Sequence, residues 1–268
     1  MIEPDTVDRP NRCRTEARSP GRGSLVHMYV EWPSAPALRD RLACLWFGTG
    51  EGGTGRVLPD ACLDIIWIGG RLEVAGPDTG PVLVDNPVGA VIAGARFRPG
   101  TAATMLGIPA SALLDQRVPL EELWGPAATA ALAERAAAAP APWLAAAELE
   151  RALLDRLPGA SPLDPAANGI VAAIGTPERA GLDRLGADLG YSERQLRRRA
   201  LTAFGYGPKV LERILRFQRF LALADRDPSP DLATLALTAG YADQAHLTRE
   251  SGRLAGLPPA RLLAERAG

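Results

Sequence analysis

Histidine is nearly missing from this chain of 268 residues: there are two, His27 and His246. That scarcity weighs against a Ser-His-Asp triad or a histidine-ligated metal. Cysteine is scarce and odd in number. Cys13, Cys44 and Cys62 show no paired spacing, which argues against a disulfide framework or a cysteine zinc site and fits a reducing cytosol. There is no Gly-x-x-x-x-Gly-Lys phosphate cradle. Without a run of about 18 apolar residues, no transmembrane helix and no membrane partner are expected. The stretch Met1 to Ser24 lacks the apolar core of a secretory signal and reads as a disordered tail, rich in Arg, Pro and Asp. Met28 opens the first convincing strand. Net charge is also nearly absent, at -1. No cofactor or metal is expected, and an enzyme is disfavoured.

What the sequence does hold is one pattern written twice in its last third. Leu185 to Arg199 and Leu235 to Arg249 each read as a short apolar helix, a Gly-aromatic turn, and a second helix with polar outer residues. That order is the grammar of a helix-turn-helix, whose second helix enters the DNA major groove. Charge supports it locally. From Gly175 onward there are 15 Lys and Arg against 11 Asp and Glu, a balance of +4 beside -5 for the remainder.

In the first copy Leu185 and Leu189, four apart, are expected to pack inward. Gly190 suits a left-handed helix end and Ser192 a cap. Leu196 and Ala200 face the core, which leaves Arg194, Arg197 and Arg198 on an outer stripe. Arginine there can fork onto guanine O6 and N7 or pair with phosphate, and Glu193 can accept from cytosine N4. In the second copy Asp243 caps, Leu247 points inward, and Gln244 and Thr248 face out, chemistry suited to adenine and thymine. Arg249 is either a phosphate contact or an internal ion-pair partner, and His246 stabilises the turn. Between the copies, Lys209 to Ala224 forms a long helix ended by Asp227-Pro228-Ser229-Pro230. At about 16 residues it spans roughly 24 Å and serves as a rigid spacer, with Arg213, Arg216 and Arg219 on its polar side, compatible with phosphate contact.

Upstream, short apolar runs are broken by Gly, Pro and Asp from Met28 to Gly94, with Gly69-Gly70 as a hairpin signal. After Gly100 the period turns helical. Residues 25–125 therefore read as an α+β domain, a small antiparallel sheet or barrel with helices. Asp60, Cys62 and Asp64 alternate onto one face of an edge strand, where Cys62 is either structural or reactive. Trp46, Trp67 and Arg98 are candidates for an effector pocket. Residues 126–165 are an alanine-rich helical linker. Its face of Leu144, Leu149, Leu153 and Leu157 either packs on its own domain or dimerises. Pro158 to Pro162 marks a boundary, followed by an all-α DNA-binding domain over 166–268.

Gly190-x-Ser192-x-Arg194-x-Leu196-x-Arg198, Gly205-x-x-Pro208, Arg216 and Gly240-Tyr241-x-Asp243-x-x-His246-Leu247-x-Arg249 resemble the AraC/XylS transcriptional regulators over about 90 residues. The resemblance implies a monomeric seven-helix module with two helix-turn-helix units on a bipartite DNA site. By position it makes Arg194, Arg197, Gln244 and Thr248 base contacts. With Glu193 added from its chemistry, Ser192, Arg198, Arg216 and Arg249 are left for phosphates. The chain departs from the family in places: Ala200 replaces an aromatic, Ser251-Gly252 replaces Phe-Lys, and the Gly-x-Ser-Pro ending stands as Gly205-Tyr206-Gly207-Pro208 and Gly256-Leu257-Pro258-Pro259, so the second unit is expected to pack less tightly or to contribute less affinity. The front segments Leu58-Pro59-Asp60-x-Cys62-x-Asp64, Ala75-Gly76-Pro77, Arg96 to Gly100 and Val118 to Gly125 are similar to a domain of unknown role that precedes this module in some bacterial regulators. A regulator of this kind has double-stranded DNA as its partner, with RNA polymerase, a small-molecule effector and a second copy as further candidates. The alternative is an enzyme or ligand-binding protein with its site in the front domain and an accessory helical module behind it.

Overall fold

A computed structural model describes residues 26–175, 181–227 and 229–267. The expected disordered tail lies outside these residues. The first strand begins two residues before Met28. In chain order the strands are β1 (Val26–Trp32), β2 (Leu42–Gly50), β3 (Thr54–Val57), β4 (Asp64–Ile68), β5 (Arg71–Ala75), β6 (Val82–Asp85), β7 (Val91–Phe97) and β8 (Arg117–Pro119). Six form one antiparallel sheet in the order β1-β2-β7-β4-β5-β8, and β3 pairs with β6 in a separate ribbon. The large sheet is open, with β1 and β8 as its edges, so it is not a barrel. Gly69 and Gly70 both have positive φ, 55° and 80°, and close the β4–β5 hairpin as their pairing suggested. One expectation fails here. β4 lies between β7 and β5 instead of at an edge, and Asp60 and Cys62 precede it in a loop.

The helices are α1 (Ala102–Leu106), α2 (Glu121–Trp124), α3 (Pro126–Ala137), α4 (Pro142–Arg156), α5 (Pro165–Gly175), α6 (Gly181–Leu189), α7 (Glu193–Phe204), α8 (Pro208–Arg226), α9 (Leu232–Ala239), α10 (Gln244–Ala255) and α11 (Pro259–Ala267). The alanine-rich segment read as a linker supplies α3 and α4. Their buried residues Leu132, Ala136, Ala145, Ala146, Leu149 and Leu153 join one core with Leu45, Phe47, Ile65 and Phe97 of the sheet. The sheet thus covers the apolar face of α4, and the small alanines let the helix approach it closely. A second core gathers Leu196, Phe204, Leu211, Ile214, Phe217, Phe220, Leu247 and Leu254 from the C-terminal helices. Ala61 of the front region is buried in it as well, and Leu58 and Leu114 pack against it.

On the sheet face away from α4, Trp46 lies flat across the next strand. Its indole covers Gly94, and its Nε1–H donates to Asp64 at 2.6 Å. A Cβ at position 94 would sit 2.3 Å from the indole. Gly94→Ala is therefore expected to displace Trp46 and destabilise the fold by about 1–3 kcal/mol, read as a lower denaturation midpoint with shifted tryptophan emission. Unchanged stability and emission would show that the indole is not confined there.

Candidate nucleic-acid interface

Each helix-turn-helix unit is set by local bonds that its sequence dictates. α6 ends at Gly190, φ +66°, and α9 at Gly240, φ +95°. Beyond each glycine the aromatic N–H turns back: Tyr191 donates to Gly186 O at 2.8 Å and Tyr241 to Ala236 O at 2.9 Å. These six-to-one bonds close both helices in Schellman motifs, which a side chain at the left-handed position would strain. The next helix then starts on a cap. Ser192 accepts from Gln195 N–H while the Gln195 side chain accepts from Ser192 N–H, a complete capping box. Asp243 accepts from His246 N–H at 2.6 Å. The His246 ring lies edge-on to Tyr241 and its Nδ1 accepts from Ala242 N–H at 3.4 Å, which is the turn-stabilising role expected of it.

The same helices bury one face and present the other. Leu196, Ala200, Ala203 and Phe204 are buried on α7; Leu247, Leu254 and Ala255 are buried on α10. Glu193, Arg194, Arg197 and Arg198 are exposed, as are Gln244, Thr248 and Arg249. The Thr248 hydroxyl donates back to Gln244 O at 2.9 Å. The guanidinium groups of Arg194, Arg197, Arg198 and Arg249 make no ion pair or hydrogen bond among the described residues. Arg249 is thus not an internal ion-pair partner there.

Other arginines are committed to the interior, against expectation. Arg216 is 17% exposed. It lies over the Tyr241 ring at 5.3 Å, donates to Gly240 O at 3.4 Å and pairs with Glu212 at 3.6 Å. Arg219 donates to Ala239 O at 3.5 Å, and Arg213 pairs with buried Glu250 at 2.8 Å. Cations at the carbonyl end of α9 complement its dipole. Arg213, Arg216 and Arg219 of α8 therefore tie the spacer to the second unit. Arg199, which the sequence left without a role, pairs with Asp164 at 2.8 Å and covers Tyr191. Leu189 departs from its expected place too. As the last residue of α6, one turn past the packing of Leu185 on Gly169, it is exposed. In the second unit Ser251, in the position of a family aromatic, is fully buried and its hydroxyl donates to Leu257 O at 2.7 Å.

The three effector-pocket candidates do not converge. Trp46 and Ile66 both pair opposite Gly94, whereas Trp67 pairs opposite Ala93. Alternation therefore sends the two tryptophans to opposite faces of the sheet. Trp67 packs on the main core, and Trp46 belongs to a small cluster with Cys44 and Ile92. Arg98 lies past the end of β7, exposed, and donates to Arg39 O at 2.6 Å. It lines a shallow depression of about 450 Å³ with Arg39, Asp40, Leu163 and Asn168. Around Trp46 the ionic partners are Asp64, Asp60 and Glu31, all gathered on Arg96 at 3.3 to 3.8 Å. Burial raises the Asp64 carboxyl above its ordinary pKa while Arg96 pulls it down. Burial also pushes the Cys44 thiol up to about 12, and burial followed by Asp60 holds Cys62 well above the usual thiol value. Burial thus disfavours the thiolate form at both cysteines.

Comparison with known proteins follows this division of the chain. A helix-turn-helix domain family matches residues 185–265, and a domain family of unknown function matches residues 30–119. Solved structures of ToxT from Vibrio cholerae are similar in outline. One, 10% identical, is matched over 83% of this chain and 98% of that chain with a TM-score of 0.44. Another, 11% identical, is matched over 83% and 99% with a TM-score of 0.40. A third, ToxT bound to (E)-4-(8-methylnaphthalen-1-yl)but-3-enoic acid, is 9% identical, matched over 82% and 98%, with a TM-score of 0.40. No curated protein matches the sequence.

The internal contacts of Arg216 carry a consequence that separates structure from DNA contact. Arg216→Ala is expected to lower the stability of the DNA-free protein by about 1–2 kcal/mol, measured by chemical denaturation. A residue that served phosphate alone would leave that stability unchanged.

Proposed function

We propose that this chain is a DNA-binding transcription regulator of the AraC type, in which the helix-turn-helix region, residues 185–265, reads two adjacent major grooves with α7 and α10. Glu193, Arg194 and Arg197 meet base edges in one groove, and Gln244 and Thr248 in the other. Arg198 and Arg249 hold phosphates on either side. Ser192 adds the N-terminal end of α7 to a phosphate, its hydroxyl fixing the cap. Arg216 serves the reading indirectly, by holding the Gly240–Tyr241 turn. The observation that carries the reading is the contrast in arginine use. The outer faces of two capped helices present free guanidinium and amide groups, while the arginines behind them are paired.

The domain bounds follow the chemistry: DNA reading from residue 166 onward, and a regulatory part over 25–125 extended by the helices of 126–165. The regulator works in the cytoplasm on promoter DNA. RNA polymerase, a second copy and a small-molecule effector are candidate partners. An effector site built jointly from Trp46, Trp67 and Arg98 is not part of the proposal, because the sheet separates the two tryptophans.

Selection of bound sequences from a random duplex pool by the purified chain tests the reading. A two-part site is expected, with affinity falling steeply as salt rises. Arg194→Ala is expected to cost about 1–3 kcal/mol and relax preference at one base position. Arg249→Ala is expected to weaken all sequences alike and reduce the salt slope by about 1. Equal loss on every sequence for Arg194→Ala would make it a phosphate contact, and recovery of no preferred sequence would remove the proposal.

A further inference from the structure

The motif Ala75-Gly76-Pro77 takes no part in the DNA-facing chemistry. It opens a loop, residues 76–81, between β5 and β6, and that loop is braced from behind. Gly76 N–H donates to Gln116 O at 2.9 Å, and Asp115 N–H donates to Pro77 O at 3.1 Å. The Asp115 carboxylate accepts from both the N–H and the hydroxyl of Thr79, at 2.6 and 2.8 Å. Asp78 is buried and held by both terminal nitrogens of Arg117, at 2.9 and 2.8 Å. Paired bonds of this kind fix orientation as well as distance. A connection between two short strands does not need such bracing for its own sake.

The other side of the loop meets both reader helices at the same end. α7 closes at Gly205, φ +84°, where a Cβ would lie 2.7 Å from the Pro77 ring and 3.1 Å from Ala110 O. α10 closes at Gly256, φ +70°, where a Cβ would lie 3.4 Å from the Pro81 ring. Gly80 faces Arg253 O of α10. Beside the loop, Arg56 of β3 donates to Ala255 O, the last carbonyl of α10, at 2.9 Å and pairs with Glu265 of α11 at 3.8 Å. A guanidinium there complements the negative end of the helix. Four residue steps separate Pro77 from Pro81, at most about 14 Å of extended chain. The trailing ends of both reader helices are thus referenced to one short, rigid segment of the front domain. The third fixed point is α8 itself, whose Gln218 donates to Pro59 O at 2.6 Å.

Two readers on one duplex need more than a fixed distance. Each added base pair moves the second half-site by about 3.4 Å and turns it by about 34°. A single helix between the units sets their separation but leaves their mutual rotation to side-chain packing. We propose that the front domain is a spacing gauge. By clasping the C-terminal ends of α7 and α10, loop 76–81 and Arg56 set which half-site spacing the chain accepts. Arg56, Asp78, Asp115 and Arg117 are positioning residues that act through the two helices. The gauge rests on the proposed DNA reading, and its test keeps the two apart.

Duplexes carrying both selected half-sites are lengthened or shortened by one and two base pairs between the halves. The parent chain is expected to lose at least about tenfold in Kd for a one-base-pair change, since one reader then falls out of register. Arg56→Ala and Asp115→Ala are expected to flatten this profile to within about threefold, while isolated half-sites bind as they do to the parent. A profile as steep as the parent's, or a loss equal at every spacing, overturns the gauge. Hydrogen exchange on the DNA-free protein supplies a second readout. Arg56→Ala should speed exchange at the end of α10 and in α11, and unaltered exchange there overturns the anchor. If Asp115→Ala fails to fold, Arg56→Ala carries the test, its side chain being 24% exposed. If the parent selects no duplex, the DNA reading fails, and exchange alone decides whether the front domain holds the helices.

Discussion

The C-terminal half depends on one backbone constraint, met four times: a helix must stop and turn within a single residue. Gly190, Gly205, Gly240 and Gly256 all adopt positive φ, between 66° and 95°, at the ends of α6, α7, α9 and α10. An L side chain at that conformation costs roughly 1–2 kcal/mol. Two of the glycines lie inside the turns and aim α7 and α10. The other two end those helices, and the space left by the missing side chain is filled by Pro77 and approached by Pro81. The residue type that lets each helix stop also lets the front domain come close. A substitution at Gly205 would meet both penalties, strain in φ and collision with Pro77, whereas Gly190 has open space and would meet only the first.

Packing and ion pairing divide the work unevenly. The second core holds four buried phenylalanine and leucine side chains on α8 alone, Leu211, Phe217, Phe220 and Leu221. At about 1.5–3 kcal/mol each, such burial outweighs any single surface ion pair, typically worth under about 1 kcal/mol. The ion pairs matter instead where one partner is buried. Glu250 is 4% exposed and faces Arg213 and Arg253. Loss of either arginine would leave a buried carboxylate short of charge, and the Arg213 pair fixes α10 to α8 more by the penalty of breaking it than by its net strength, while Arg253 lies on α10 itself.

What could be read from the sequence was what five or six neighbouring residues decide. The Gly-aromatic turns, the Ser192 and Asp243 caps, the Gly69-Gly70 hairpin and the exposed stripe of Arg194, Arg197 and Arg198 all have local causes. Misreadings arose where a second segment, distant in sequence, makes the decision. Trp46 and Trp67 fall on opposite faces because strand register couples them through β7, and that register is invisible until the strand order is known. Arg216 looked solvent-facing on its own helix, yet Tyr241 and the end of α9 arrive to cover it. Asp64 alternated as an edge-strand residue should, but β7 and β5 flank it. Loop 76–81 shows in sequence only two Gly-Pro pairs, Gly76-Pro77 and Gly80-Pro81. Its contacts reach Asp115 and Arg117 on one side and Gly205 and Gly256 on the other, and none of these is near it in sequence.

The free guanidinium groups on α7 and α10 also bear on how a reader stays ready. An arginine already paired with a carboxylate would have to give up that pair before touching a phosphate or guanine, and the carboxylate would be left repelling the duplex. Here three acidic residues of the module are drawn away from the outer faces of α7 and α10. Asp243 is turned onto its own helix start, Glu250 is sunk between helices, and Asp164 holds Arg199. Glu193 differs from these three. It stands at the first position of α7, where the helix dipole favours a negative charge and where, in the proposed reading, its carboxylate meets a base amino group. The distribution of charge, more than its total, suits this surface to DNA, and it explains how a chain with a net charge of -1 can present a basic face.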